Sequence, residues 1–581
     1  MDPIRYTLSF PAPHTHYVEV TATVPANGAA VEMMMAVWTP GSYLVREYSR
    51  HVEAVSAESP DGRELAVEKI AKNRWKIATG GGPSIVVRYR VYGREMSVRT
   101  NWIESSFALL NGAPTFLTLA DGVVRPHEVT AIPAEGWARS VTGLPETGEP
   151  HRYVAPDYDT LVDSPILLGN PSVYEFIVDG VTHLLVNEGE GGVFDGARAV
   201  RDVEAIAREH LRMWGSLPYD KYVLLNLLTE ATGGLEHRNS AVLMASRWAT
   251  RTRKAYVSWL ELVSHELFHV WHVKRLRPIE LGPFDYEREA HTRSLWVIEG
   301  ITEYYGNLLL HRAGLTTRDE FLEALSEKIE SLQTTPGRRV QSAALASFDA
   351  WIKLYRPDEN SPNTSVSYYT KGCVIAFLLD AMIRRGSGGT KSLDEALRTA
   401  YGIYSGSRGF TPQQFRGVVE DMSGRSLAAF WSDAIDGTAE LKYAEAIDYF
   451  GLRFTPETPR PGERQKAWLG ALTKIEEGRL VVTQVKRDTP AWKAGLNVDD
   501  EILAIDDFRV RADRLEQRLE QYSPGQRVSL LVARRERILD LNLTLGAEPM
   551  RLWRIEMDPI ATPIQAERLN AWLKGTVLQT S

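Results

Sequence analysis

The segment His265-Glu266-Leu267-Phe268-His269 sets two imidazoles four positions apart with a carboxylate between them. On a helix, residues four apart share a face one turn apart, so both rings can reach one ion. Glu266 stands at the edge of that face, where it can take a proton from a water polarised by the ion instead of binding the ion. A catalytic zinc keeps three protein ligands and one open position, so one more His, Asp or Glu is required. In Trp296-Val297-Ile298-Glu299-Gly300-Ile301-Thr302-Glu303-Tyr304-Tyr305, Glu299 and Glu303 share a helical face, and only one need point at the metal. With no third ligand, His265 and His269 would be ordinary residues of a surface helix.

These side chains need elements to hold them. The first helix is expected near Lys254 to Val273, with Val263, Leu267 and Val270 at i, i+4, i+7, stopping before Pro278. A second is expected from Leu295 to Ala313, closed by Gly314, and a third from Ser367 to Arg385, with Arg384 and Arg385 in its last turn and Gly386 as its cap. A fourth opens at Thr411-Pro412, where Gln414 completes a capping box. Tyr222 to Leu228 reads as a strand. From Tyr6 to about Asp163 short runs such as Tyr17 to Val24 alternate with period two between turn pairs such as Asp61-Gly62 and Asn111-Gly112, the pattern of an antiparallel β-sandwich. The Pro-rich stretch Thr455 to Gly462 reads as a linker. Beyond it, about 85 residues return to short strands with one helix near Arg514 to Tyr522, the size of a small module. The fold class is therefore multidomain α+β.

The 581 residues are 44% hydrophobic and 24% charged, enough for sizeable cores, and the net charge of -8 argues against a nucleic-acid partner. No window reaches the ~18 uninterrupted apolar residues of a membrane helix, since Val374 to Ile383 is broken by Asp380. The start carries no basic region followed by an apolar run, so a soluble protein without a signal in this chain is expected. Its compartment stays open: cytoplasmic, or periplasmic or secreted if a leader has been removed. The single cysteine, Cys373, excludes an intrachain disulfide and a multi-cysteine zinc site, and its apolar helical setting suggests a buried thiol.

At Trp296 to Gly300 the chain resembles the gluzincin metallopeptidases, whose third ligand is the glutamate of a Trp-x-x-Glu-Gly motif, which implies Glu299. The resemblance sharpens to the glycyl aminopeptidase family on three stretches: Trp38-Thr39-Pro40-Gly41-Ser42-Tyr43 with Arg46 following, Gly233-Gly234-Leu235-Glu236-His237, and His265 to Pro278 with Trp271, Lys274 and Arg275. It covers nearly the whole chain. It implies an N-terminal β-sandwich domain over 1–165, a thermolysin-like, largely helical zinc peptidase domain over 166–455, the Pro-rich linker over 456–464, a PDZ domain over 465–548 and a C-terminal tail over 549–581. One departure is that Glu299 lies 30 positions beyond His269, longer than the usual interval; an inserted loop, Arg277 to Thr292, would account for it at the rim of the site.

Gly233 to His237 resembles the Gly-x-Met-Glu-Asn motif that holds a substrate's free α-amine, with Leu235 for Met and His237 for Asn. This implies Glu236 as the amine anchor, with Gly233 and Gly234 letting an extended backbone approach closely. Tyr368-Tyr369-Thr370-Lys371-Gly372 resembles the Tyr-x-Lys-Gly motif whose tyrosine donates to the tetrahedral intermediate, which matches Tyr369 while Tyr368 competes for the role. Trp468-Leu469-Gly470-Ala471 resembles the carboxylate-binding loop of a PDZ domain, and Pro490 to Leu496 its glycine turn.

Together these imply a zinc aminopeptidase with one Zn2+ per chain held by His265, His269 and Glu299, with Glu266 as the base and a preference for small N-terminal residues, glycine and alanine. Its partners would be peptide substrates and, at Leu469, Gly470 and Ala471, peptide C-termini. A PDZ-containing zinc endopeptidase acting on unfolded or C-terminally presented peptides is the alternative, with Glu236 then on the rim. A catalytically idle PDZ adaptor is disfavoured because every catalytic residue type is in place.

Overall fold

A computed structural model describes residues 2–456 and 465–575. The N-terminal region holds a seven-stranded sheet in the order 152–155, 127–132, 4–9, 17–25, 84–92, 52–58, 64–65, together with two four-stranded sheets. Alternate residues of these strands share one core that includes Tyr6, Val20, Trp75 and Phe116, as the period-two pattern requires. One pairing is not legible from alternation: β1 (Ile4–Ser9) and β2 (His127–Ile132) run parallel within an otherwise antiparallel sheet. Partners this far apart in sequence need no hairpin to join them, so neither orientation is imposed by a turn.

A five-stranded sheet follows, built from β3 (Ser172–Val178), β4 (Val181–Glu188), β5 (Lys221–Leu228), β6 (Gly233–Glu236) and β7 (Ser240–Ala245) in the spatial order β3-β4-β5-β7-β6. β5 is parallel to both neighbours and buried along nearly its whole length, which explains its continuous apolar run. β6 is left as an edge strand, antiparallel to β7.

The helical part includes α1 (Gly196–Trp214), α2 (Arg253–Phe268), α3 (Thr302–Arg312), α4 (Arg318–Gln333), α5 (Tyr368–Gly386) and α6 (Pro412–Ser423). The cap at Thr411 is the one expected, with its Gln414 capping box, and Ser367 caps α5 instead of opening it. Three expectations need correction. α2 ends at Phe268, well short of Val273: Val270 N–H and Trp271 N–H bond to the carbonyls of Leu267 and Phe268 (both 3.2 Å), a tightened turn that unwinds the helix long before Pro278. The second helix opens as a π-helical turn, Trp296–Ile301, before α3. Gly386 is the last residue of α5 rather than its cap; a Cβ there would stand 2.0 Å from the Ser423 carbonyl oxygen, so the position serves close packing.

The C-terminal module carries its own core, with Leu469, Val482, Ile505 and Leu530, and it holds two short helices, not one: Leu515–Leu519, where a helix was expected, and Pro490–Ala494, capped by Thr489. Residues 457–464, most of the expected linker, lie outside the described residues. The described part of the expected tail, 549–575, folds back onto the main helical core. β8 (Leu452–Phe454) pairs with β9 (Ile555–Met557), and α7 (Pro563–Lys574) buries Trp572, whose Nε1–H donates to the Tyr304 hydroxyl at 2.6 Å in the main helical core. The module is thus inserted between two strands that pair with each other. It also docks on buried Asn363, which donates to the Val485 carbonyl (3.0 Å) and accepts from Arg487 N–H (2.7 Å).

Candidate active site

The end of α2 and the π-helical turn bring three ligand atoms together. His265 Nε2 and His269 Nε2 lie 3.0 Å apart, and Glu299 Oε2 lies 3.7 Å and 3.2 Å from them. Each opposite ring nitrogen faces an acceptor: His269 Nδ1 the His272 carbonyl at 2.8 Å, and His265 Nδ1 the Glu303 carboxylate at 3.1 Å. Both protons therefore sit on Nδ1, and two Nε2 lone pairs converge with a carboxylate oxygen. Three acceptors with no donor among them suit a divalent cation, and imidazole with carboxylate suits zinc. The choice between the two glutamates is a matter of placement. Glu303 stands behind His265, held there by Lys328, and orients the ring, while Glu299 faces the gap between the rings. The tightened turn after Phe268 serves the same end, because it folds the His272 carbonyl back onto His269.

Glu299 owes its position to two glycines. A Cβ on Gly300 would stand 2.4 Å from Gly372 Cα, and one on Gly372 would stand 2.6 Å from the Trp296 carbonyl oxygen, so the π-helical turn and α5 meet backbone to backbone. That contact sets both tyrosines of α5 beside the candidate ligands His265 and Glu299. Tyr369 lines a cavity of about 340 Å3 with His265, Glu266 and Gly234, its ring 6.3 Å from that of His265. Tyr368 is fully buried behind it, its hydroxyl without a hydrogen-bond partner among the described residues.

On the other wall, strand alternation points Gly234 and Glu236 to one face of β6. A Cβ on Gly234 would stand 1.9 Å from Glu266 Oε1, so only glycine allows the strand to lie on that carboxylate. Glu266 is buried, which pushes its carboxyl up to about 7, and its Oε2 has no partner among the described residues. The buried Glu236 carboxylate likewise makes no hydrogen bond or ion pair among the described residues, and it lies within 4.8 Å of ligand atoms of Glu266 and His269. Above it sits Gly41 of the N-terminal region, with φ at 85°; a Cβ there would stand 2.6 Å and 2.7 Å from the two Glu236 oxygens. Gly41, Glu236, Trp38 and Lys274 border a second cavity of about 360 Å3, rimmed by Leu281 to Phe284 of the inserted loop. That loop straps the two regions together, with Trp38 Nε1–H donating to the Asp285 carbonyl at 2.9 Å. Asp163 closes the junction: it accepts from Lys274 Nζ at 2.8 Å and faces His237 Nδ1 at 3.1 Å.

The structure thus gathers Gly234, Glu236, His265, Glu266, His269, Glu299 and Tyr369 around one cleft, with Gly233 beside them on β6. Leu469, Gly470 and Ala471 border neither cavity. Within their own module, the Leu469 carbonyl accepts from Ala491 N–H at 2.9 Å, and Gly470, with φ at 83°, packs on Thr489. Three contributors were not assigned a role from sequence. Glu303 was seen only as a rival ligand. Gly41 was quoted as part of a motif whose purpose the chain order hides, and Asp163 carries no local signal at all.

Residues 5–170 match the Peptidase M61 N-terminal domain, residues 258–375 the M61 glycyl aminopeptidase, and residues 449–545 a PDZ domain. The resemblance to glycyl aminopeptidases is borne out, and with it the mixed α+β multidomain class. The crystal structure of an aminopeptidase N family protein from Idiomarina loihiensis is 29% identical and superposes with a TM-score of 0.92 over 98% of this chain and 100% of that one. Legionella pneumophila aminopeptidase A in complex with aspartic acid is 15% identical, with a TM-score of 0.45 over 74% of this chain and 48% of that chain. Native yeast LTA4 hydrolase is 12% identical, with a TM-score of 0.45 over 77% and 70%. These two likenesses are too loose to build on. No curated protein matches the chain.

Proposed function

We propose, on the M61 glycyl aminopeptidase match of the N-terminal and central segments, that this chain is a zinc aminopeptidase removing small residues, glycine and alanine, from peptides with a free N-terminus. His265, His269 and Glu299 would hold one zinc ion. Bound there, zinc supplies Lewis-acid polarisation of a water and of the scissile carbonyl. The chain's own residues do the rest. Glu266 Oε2, buried and without a partner among the described residues, accepts the attacking water's proton and returns it to the leaving nitrogen. Tyr369 Oη–H donates to the carbonyl oxygen as charge develops there, a contribution of ~2.7–4 kcal/mol in comparable donors.

The observation that carries the exopeptidase reading is the face shared by Gly234 and Glu236. An extended peptide on the free edge of β6 with its ammonium on Glu236 has its first peptide bond near Gly234 and therefore near Glu266. A blocked amine would leave the Glu236 charge buried and unpaired, a penalty of about 1–3 kcal/mol or more. The endopeptidase alternative draws on one feature, the cavity of about 360 Å3 beyond Glu236, which has room for residues upstream of the scissile bond. A hydrolysis panel of peptides beginning with glycyl, alanyl, leucyl and N-acetyl-glycyl residues, with and without chelator, separates the two. Release of free glycine and alanine, abolished by chelator and absent from the acetylated peptide, is expected; equal cleavage of the acetylated peptide would overturn the exopeptidase reading. The module at 465–548 would bind peptide C-termini through Leu469, Gly470 and Ala471, for which a labelled peptide acid should bind and its amide should not.

A further inference from the structure

The cleft on the metal side of β6 contains a cation that nothing above uses. Arg99 lines the same cavity of about 340 Å3 as Gly234, Glu266, His265 and Tyr369, and apart from His265 it is the only basic side chain there. Its Nε is buried and without a partner, and among the described residues its guanidinium makes no hydrogen bond or ion pair. Its backbone, by contrast, is pinned: Arg99 N–H donates to Ser97 Oγ at 3.2 Å and the Arg99 carbonyl accepts from the Tyr48 hydroxyl at 3.0 Å. The neighbouring Val98 is buried against Leu235 and Leu227 and stands 3.9 Å from where a Cβ of Gly233 would lie. Arg99 is therefore held beside the Gly233 end of β6, opposite the end occupied by Glu236. A second guanidinium, Arg46, lies close enough to feel the Arg99 charge, and its only hydrogen bond among the described residues is to Ser42 Oγ at 3.0 Å. Two guanidiniums near one another, neither of them in an ion pair among the described residues although Glu95 lies close enough to act on Arg46, form a site for an anion.

β6 has one anionic end at Glu236 and one cationic end at Arg99, with Glu266 between them. A strand advances about 3.3 Å per residue, so the span from Glu236 to Gly233 matches a peptide of roughly two or three residues, bearing an ammonium at one end and a carboxylate at the other. We propose that Arg99, backed by Arg46, receives the C-terminal carboxylate of the substrate, so that the site selects di- and tripeptides over the N-termini of long chains. The inference rests on the aminopeptidase reading, since that reading gives the peptide its direction, with the leaving portion lying toward Arg99.

The test is equilibrium binding by calorimetry to the zinc-loaded Glu266→Gln protein, which requires no turnover. Four ligands form a square: glycyl-alanine, glycyl-alaninamide and the N-acetyl form of each. The acid is expected to bind at least about tenfold more tightly than the amide, in keeping with a charge-assisted hydrogen bond. Adding Arg99→Gln should remove that difference, and Arg99→Lys should restore part of it. An equal affinity for acid and amide, or a difference that survives Arg99→Gln, overturns the proposal; a survivor would point to the carboxylate lying on the metal instead. Should Arg99→Gln fail to fold, acid and amide pairs of two, three and six residues on the Glu266→Gln protein decide, because only the short acids should gain. Failure of the underlying reading looks different: acetylation would then leave affinity unchanged while the acid–amide difference persisted.

Discussion

At the scale of single residues the cleft depends on what is missing as much as on what is present. Gly234→Ala places a methyl 1.9 Å from Glu266 Oε1, so the carboxylate must move. Turnover is expected to fall about a hundredfold, the cost of a misplacement near 1 Å, with little change in the thermal transition. Glu266→Gln leaves all three ligands intact and should retain zinc, measured by metal analysis, while losing about 10²- to 10⁴-fold in kcat. Glu303 is a stricter test of placement because it holds the His265 ring rather than facing the gap between the histidines. Glu303→Ala should weaken zinc affinity by about 10- to 100-fold in a chelator competition, with Glu303→Gln milder because its amide oxygen still accepts from Nδ1–H. Loss of zinc from Glu303→Gln as complete as from Glu299→Gln would make Glu303 a ligand after all.

At the scale of elements, the meeting of the π-helical turn with α5 determines where Glu299 and the tyrosines stand. Gly300→Ala or Gly372→Ala drives a methyl into backbone that cannot rotate away, and a loss near or above the ~1–3 kcal/mol of ordinary overpacking is expected in thermal unfolding. Zinc affinity should fall with it, since Glu299 is the residue before Gly300. Tyr369→Phe should lower kcat more than it raises KM, because its hydrogen bond strengthens as charge develops. Tyr368→Phe should leave kcat near wild type, its hydroxyl being enclosed behind Tyr369. The cap at Thr411 was readable because a capping box is a local contest among four residues, whereas the role of Gly386 was not, because it is set by Ser423 packing against it. The π-helical turn was not, because its extra residue per turn is stabilised by a glycine 72 positions away in the chain.

At the scale of the whole molecule, the return of 555–574 to the main core reverses an expectation drawn from the Pro-rich stretch. Truncation after residue 456 removes β9 and α7 and exposes the surroundings of Trp572, so an aggregating or unfolded product is expected in size-exclusion chromatography. Excising only 465–548, with a short connector joining the two flanks, should leave a folded enzyme that has lost the partners of Asn363. The junction with the N-terminal region should be acid-sensitive. Burial raises the Asp163 carboxyl, but the Lys274 charge and the His237 contact outweigh it and hold the group well below its ordinary 3.8. A depressed carboxyl contributes stability that is present above the unfolded value and lost as pH falls through the folded one, so the Asp163 contribution should fade below about pH 4. Asp163→Asn should cost about 3–5 kcal/mol at neutral pH, because Lys274 keeps a buried charge, and the gap in melting temperature between the two proteins should narrow toward pH 3.

The zinc-ligand candidates, Glu266, the Thr411 cap and the presence of a PDZ module were legible in the sequence, because each is announced by short local patterns, even where, as with His269 and Glu299, the patterns themselves lie 30 positions apart. Tertiary structure decided what no local pattern holds: that Glu303 backs His265 instead of facing the gap between the histidines, that Gly41 of a separate region roofs Glu236, that Arg99 stands at the far end of β6, and that the C-terminal segment packs into the main helical core. In each case the deciding contact joins residues far apart in the chain. Such contacts depend on close packing around a whole cleft, so neither partner's neighbours in sequence carry any trace of them.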